Sequence, residues 1–130
     1  VGSFLVKHLR INWTEGEKHF RNCLLDFNKA NNVAQWQWVA GCGADAAPYF
    51  RIFNPILQGE KFDKEGLYVK KWLPELNKVP NKFVHKPWEM ELKYQQAIKT
   101  IIGKDYPEPI VIHEKARASA LEAFQSLKKK

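Results

Sequence analysis

Asn31-Asn32-Val33-Ala34-Gln35-Trp36-Gln37-Trp38-Val39-Ala40-Gly41 is the stretch on which the fold turns. Its leading asparagines belong to a polar run, Asp26-Phe27-Asn28-Lys29-Ala30-Asn31-Asn32, with the composition of a loop that then caps a helix. Residues 33–40 predict one short helix, ended by Gly41 and Gly43. Helical positions two apart point about 200° away from each other, so Trp36 and Trp38 face opposite sides. One ring can pack inward while the other looks into a cavity or at a ligand. Asn32, four residues before Trp36, shares its face. Core burial of both rings is the competing reading, but it leaves the flanking glycines and asparagines of so short a helix unexplained.

Upstream, residues 3–11 read as the tail end of a helix carrying Phe4, Leu5, His8, Leu9 and Ile11. Thr14 and Glu17 form a capping-box pair, and the helix they open carries Phe20, Leu24 and Cys23 inward. Cys23 reads as a small buried hydrophobe rather than a nucleophile. Downstream, residues 44–55 mix small residues, aromatics and Arg51 between Pro48 and Pro55, which predicts irregular backbone. Residues 58–62 read as loop. Asp63 caps a helix carrying Leu67, Tyr68, Lys71 and Trp72, stopped by Pro74. Residues 76–87 are a connector with Pro80 and Pro87, and a helix is predicted from Trp88 to Ile102, closed by Gly103. Tyr106-Pro107-Glu108-Pro109 breaks the chain again. A last helix starts near His113 and buries Ala116, Ala120, Leu121, Phe124 and Leu127. No β-period alternation and no internal repeat appears, so the class is all-α, multi-helical.

A chain of 130 residues is one domain's worth by length, and 45% hydrophobic with 27% charged residues argues against a wholly disordered chain. No run approaches ~20 apolar residues, so no membrane span is expected. Two cysteines, Cys23 and Cys42, are too few for a disulfide framework and lack metal spacing, which points to a reducing compartment. The chain opens on Val1, inside a helical pattern and without signal-peptide features, and so reads as a segment of a longer protein. Net charge is +7, and +4 remains without Lys128-Lys129-Lys130, which reads as a frayed tail. That balance favours a polyanionic partner such as nucleic acid. Five tryptophans serve either a core or base stacking, and composition does not decide between them. Dinucleotide-binding, phosphate-loop, zinc and nucleophile-elbow patterns are all absent. His8, His19, His85 and His113 share no ligand spacing, so no metal is expected. Asp26 and Asp45 read as loop acids that cap a helix or close a turn.

Asn31-Asn32, the run Trp36 to Gly41, and Ala44-Asp45-Ala46-Ala47-Pro48-Tyr49-Phe50-Arg51-Ile52-Phe53-Asn54-Pro55 together resemble bacterial deoxyribodipyrimidine photolyases of the photolyase/cryptochrome family. The likeness continues through Gln58 to Asp63 and Trp72-Leu73-Pro74-Glu75-Leu76, and resumes at Tyr106 to Val111. It covers essentially the whole chain and is weakest from Trp88 to Lys104. Proteins of this family are several times longer, with an N-terminal α/β antenna domain and a C-terminal all-helical domain around a U-shaped FAD. Residues 1–130 thus look like the C-terminal part of the helical FAD-binding domain. The antenna domain, with its chromophore, and the first part of the flavin domain would precede Val1.

The resemblance implies light-dependent repair of cyclobutane pyrimidine dimers in DNA, a carbon–carbon lyase reaction driven by reduced FAD in a bacterial cytoplasm. It gives Asp26, Phe27 and Asn28 as the FAD-contacting stretch and Asn32 as the neighbour of the flavin N5 edge. Asn28 departs from the pattern, since many relatives carry an acid there; an amide both donates and accepts but alters the charge balance. Trp36 resembles the flavin-proximal member of an electron relay and Trp13 its middle member. Trp38 resembles the ring against a flipped dimer, and Gln58 a DNA contact. Arg51 and Lys61 stand near enough in sequence to contact phosphates. Flipping is cheapest for a distorted, poorly stacked lesion. FAD carries the redox chemistry, so no protein nucleophile is needed. The segment alone is expected to be inactive, to bind FAD weakly or not at all, and to self-associate through Phe4, Leu5, Trp13, Trp36 and Trp38. Alternatives are a cryptochrome-like blue-light receptor and a flavin-free DNA-binding remnant.

Overall fold

Three asparagines each start a helix, because a carboxamide oxygen satisfies first-turn N–H groups that have no intrahelical partner. In the computed structural model, which describes residues 1–45 and 50–128, Asn12 Oδ1 accepts from the Thr14 N–H at 3.1 Å and opens α1 (Trp13–Cys23). Asn28 Oδ1 accepts from the Asn31 N–H at 3.0 Å and opens α2 (Lys29–Ala40). Asn54 Oδ1 takes the Ile56 and Leu57 N–H groups at 3.0 and 3.2 Å and opens α3 (Pro55–Phe62).

These caps correct three expectations. Thr14 lies inside α1, its hydroxyl donating to Asn12, while Glu17 is buried and bonded elsewhere, so the capping box is not formed. The second helix begins at Lys29 rather than Val33, though it ends where expected, at Gly41 with φ +75°. Residues 58–62 are helix, not loop: Asn54 caps them, and Pro55 sits where its missing N–H costs nothing.

The described residues gather into two units. The first comprises Val1–Phe53 with Val111–Lys130. It begins with a single π-helical turn, Phe4–His8, shorter than the expected 3–11 because Arg10 adopts φ 54° and turns the chain. Helix α1 packs on α2, and the C-terminal helix, His113–Lys128, packs on the π-helical turn. Ala120 is buried there, and Ala116, Leu121 and Phe124 are half-buried. Leu127 is 72% exposed rather than buried, since the turn beneath this helix is so short. Leu24 and Cys23 are likewise exposed, because α1 stops at Cys23 and Leu24 continues as extended chain. Phe20 does turn inward and is half-buried. Residues 50–53 are irregular, as expected; positions 46–49 of that stretch lie outside the described residues.

The second unit, Asn54–Ile110, closes around Leu76, Val79, Val84 and Met90, with Val69, Leu73, Phe83, Ile98 and Tyr106 packed against them. It holds α3, α4 (Leu67–Trp72), three 3-10 turns and α5 (Leu92–Ala97). The Asp63 carboxylate accepts from the Tyr68 and Val69 N–H groups at 3.2 Å, so it does cap α4. Partial desolvation pushes that carboxyl up, but those two hydrogen bonds and the nearby His85 outweigh it and hold its pKa below the ordinary value. The long helix expected from Trp88 to Ile102 is only α5. Pro87 and Trp88 form a 3-10 turn, and Lys99 at φ 57° ends the helix. Buried Gln95 then ties both flanks, donating to the Met90 carbonyl at 2.8 Å and accepting from the Ile102 N–H at 2.9 Å. Among the described residues there is no strand, only an isolated bridge between Ile102 and Tyr106, and no helix is long and apolar enough to cross a membrane.

Candidate functional site

The α1–α2 pair is built around one indole. Trp36 is 4% exposed and meets Phe20 edge-on, ring centroids 5.1 Å apart. The flat of α1 beneath it is Gly16, where a Cβ would stand 2.2 Å from Cη2 of the ring. Gly2 borders the same ring from the N-terminal segment, its Cβ position 3.5 Å from Cζ3. A glycine inside a helix costs about 0.5–1 kcal/mol relative to alanine. Here it makes room for the largest side chain of the core.

One turn toward the start of α2, Asn32 is buried on the same face. Its Nδ2 donates to the Glu17 carbonyl at 3.0 Å and to Glu17 Oε1 at 3.2 Å, and its Oδ1 has no donor among the described residues. Arg21 grips the same carboxylate with two hydrogen bonds and holds its pKa below the ordinary value, with Asn32 adding to that effect. The carboxylate therefore fixes which way the Asn32 amide points, donor inward and acceptor free. Sequence reading missed Glu17 and Gly16 as site residues; a lone mid-helix glycine facing a tryptophan was the available signal.

The other predicted residues distribute as follows. Trp38, on the opposite side of α2, is 40% exposed, so the two rings do face apart. Asp26 and Asn28 are exposed and Phe27 half-buried, in the turn that leads into α2, and the Asn28 oxygen is engaged as the helix cap. Trp13 is half-buried at the first position of α1; the ring that meets Trp36 edge-on is that of Phe20, not Trp13. Arg51 has an exposed side chain and lies over the Phe53 ring, while its carbonyl accepts from Lys7. Gln58 and Lys61 are exposed on α3 and belong to the second unit. Since Trp36 is buried and Phe4, Leu5 and Trp13 are half-buried, only Trp38 of the five residues expected to form an exposed apolar surface is exposed.

The histidines hold one surprise. His8 Nε2 and His113 Nδ1, 105 residues apart, stand 2.9 Å from each other. Burial, then the neighbouring His113, lowers the His8 pKa. Among the described residues no group of three metal-ligating side chains exists.

Packed helices, with a buried and an exposed tryptophan on one of them, define an all-helical domain that holds one aromatic ring inside and offers another to solvent. Residues 1–126 match the family described as the FAD binding domain of DNA photolyase, and the chain belongs to that family. It is 56% identical over 129 residues to the deoxyribodipyrimidine photo-lyase of Agrobacterium fabrum, covering 99% of this chain and 27% of that protein. A class III photolyase of Agrobacterium tumefaciens superposes with a TM-score of 0.91 at 55% identity, over 99% of this chain and 27% of that one. A Synechocystis cryptochrome superposes at 0.86 and 36% identity, over 93% and 25%. The chain thus spans about a quarter of the length of the relatives it matches.

Proposed function

We propose that residues 1–130 serve as the C-terminal part of the flavin domain of a longer protein that splits cyclobutane pyrimidine dimers in DNA under light. The observation that carries this reading is the pair on α2: Trp36 sealed against Gly16 and Trp38 open to solvent two residues further on.

The residues present fit a flavin. Asn32 offers an amide whose donor is fixed by Glu17 and whose acceptor has no partner among the described residues. Asp26, Phe27 and Asn28 lead directly into the N-terminus of α2, where N–H groups favour negative charge. Bound there, FAD supplies the redox chemistry. The chain's own residues do the rest. Trp36 and Trp13 relay electrons, and burial of Trp36 keeps its ring in one place. Trp38 presents a flat apolar face to flipped bases. Arg51 and Lys61 neutralise phosphates, which positions DNA without reading sequence, and Gln58 adds a polar contact.

In this reading the antenna chromophore lies in the preceding domain, and the protein works in the bacterial cytoplasm, where two exposed, unbridged cysteines are at home. The 130-residue chain alone is inactive, binds FAD weakly or not at all, and self-associates; Phe62, Leu67, Tyr68 and Trp72 of the second unit are more than 60% exposed. The likeness to a cryptochrome favours a second reading, a blue-light receptor using the same rings. Repair is tested by replacing Trp38 with Ala in the full-length protein. Affinity for dimer-containing DNA at fixed salt should fall by about 1–3 kcal/mol if the ring stacks on a base. Unchanged affinity rules the stacking role out.

A further inference from the structure

Away from the tryptophan face, the first unit holds a cavity of about 380 Å³, a volume within the range of small-molecule sites. Val6, Ala40, Ala120 and Ala123 line it, together with Phe50 and Phe124, whose rings stack with centroids 4.3 Å apart and planes 7° from parallel. Two cations line the same cavity. Lys7 is 6% exposed; one of its N–H groups is spent on the Arg51 carbonyl at 2.6 Å, and the ammonium lies 5.0 Å from the Phe50 centroid. Arg10 donates to Ser119 at 3.2 Å and holds φ 54°, a left-handed backbone that a non-glycine residue adopts only at a cost.

Neither cation forms an ion pair among the described residues. A buried ammonium without a counter-ion is unfavourable. Burial first, and the charge of Arg51 second, accordingly holds the Lys7 amine below the ordinary lysine range. The fold thus maintains two costly features, a buried unpaired cation and a strained arginine, on the lining of one cavity. An anion placed between them would relieve the first and give the second a purpose.

We propose that this cavity binds a small aromatic carboxylate, its carboxylate held by Lys7 and Arg10 and its ring lying against Phe50, Phe124 and the alanines of α2 and the C-terminal helix. Three alanines leave room for the thickness of a ring where larger side chains would close the space. A carboxylate matches the donors available, two free ammonium N–H groups and the fork of a guanidinium. None of these side chains belongs to the proposed flavin, relay or DNA set, so the site can stand whether or not that reading does.

Isothermal titration of the 130-residue chain with 2-naphthoate, and separately with uncharged 2-naphthamide, tests the site. The expected result is saturable one-to-one binding of naphthoate, at least about tenfold tighter than the amide, as a charge-assisted contact requires. Ala123→Phe, which fills the cavity, should abolish binding, and Arg10→Gln should weaken naphthoate at least tenfold while leaving the amide unchanged. Circular dichroism checks that each variant is folded. If Ala123→Phe is not folded, Arg10→Gln decides alone, since its side chain lies at the exposed rim. Equal affinity for acid and amide, naphthoate binding that survives Arg10→Gln, or no saturation by naphthoate at millimolar concentration overturns the proposal.

Discussion

Gly16→Ala puts the packing of Trp36 to a direct test. The added Cβ would lie 2.2, 2.4 and 2.6 Å from Cη2, Cζ3 and Cζ2 of the indole, distances that real Cβ atoms do not sustain. The ring has little room to retreat, being 4% exposed, edge-on to Phe20 and bordered by Gly2. Nor can α1 lift easily, because Glu17, the next residue, is bonded to Asn32 on α2. Helix propensity favours alanine by about 0.5–1 kcal/mol. Overpacking opposes it with about 1–3 kcal/mol, and at these distances the upper half of that range applies. The net expectation is a loss of about 1–2.5 kcal/mol, or about 0.5–1.2 M in the urea midpoint for a chain of this size. Near-UV circular dichroism should change with it. Trp36→Phe should then cost less in the Gly16→Ala background than in the parent chain, the sign of direct coupling. A Gly16→Ala chain as stable as the parent, with unchanged near-UV signal, would refute the reasoning.

Two further outcomes follow from the first unit. Both His8 and Glu17 have lowered pKa values, so each contributes stability that is complete above its ordinary value, 6.5 and 4.5 respectively, and lost as pH falls through its folded value. The urea midpoint should fall in two stages on acidification, and Glu17→Gln should shrink only the lower one, to which Asp63 also contributes; a midpoint that rises below pH 6.5 contradicts this. In the full-length protein, Trp36→Phe should block photoreduction of oxidised flavin yet leave repair by chemically reduced protein nearly intact, and an equal loss of both would remove Trp36 from the relay.

The helical class was legible because apolar spacing and polar caps agree along most of the chain, and the opposite facing of Trp36 and Trp38 follows from helical geometry alone. Boundaries were less legible. Asn12 and Asn28 cap their helices from positions ahead of the residues that look most like caps. Residues 58–62 read as loop, yet they are helix, and Gly59 stands there because the His85 ring would lie 2.4 Å from a Cβ. Gln95 shortens a helix that periodicity extends, by hydrogen bonds to backbone on either side. Tertiary pairings left no local trace at all. Glu17 holds an amide 15 residues away, and His8 meets His113 across 105. Position in one helix cannot announce a partner in another.

Light-driven repair is tested most directly by following a thymine dimer in an oligonucleotide exposed to the full-length protein with its flavin chemically reduced. The account predicts that the dimer is converted to intact thymines under blue light and remains untouched in the dark. A dimer that persists under light while the flavin stays bound and reduced would contradict it and make the protein a receptor rather than a lyase.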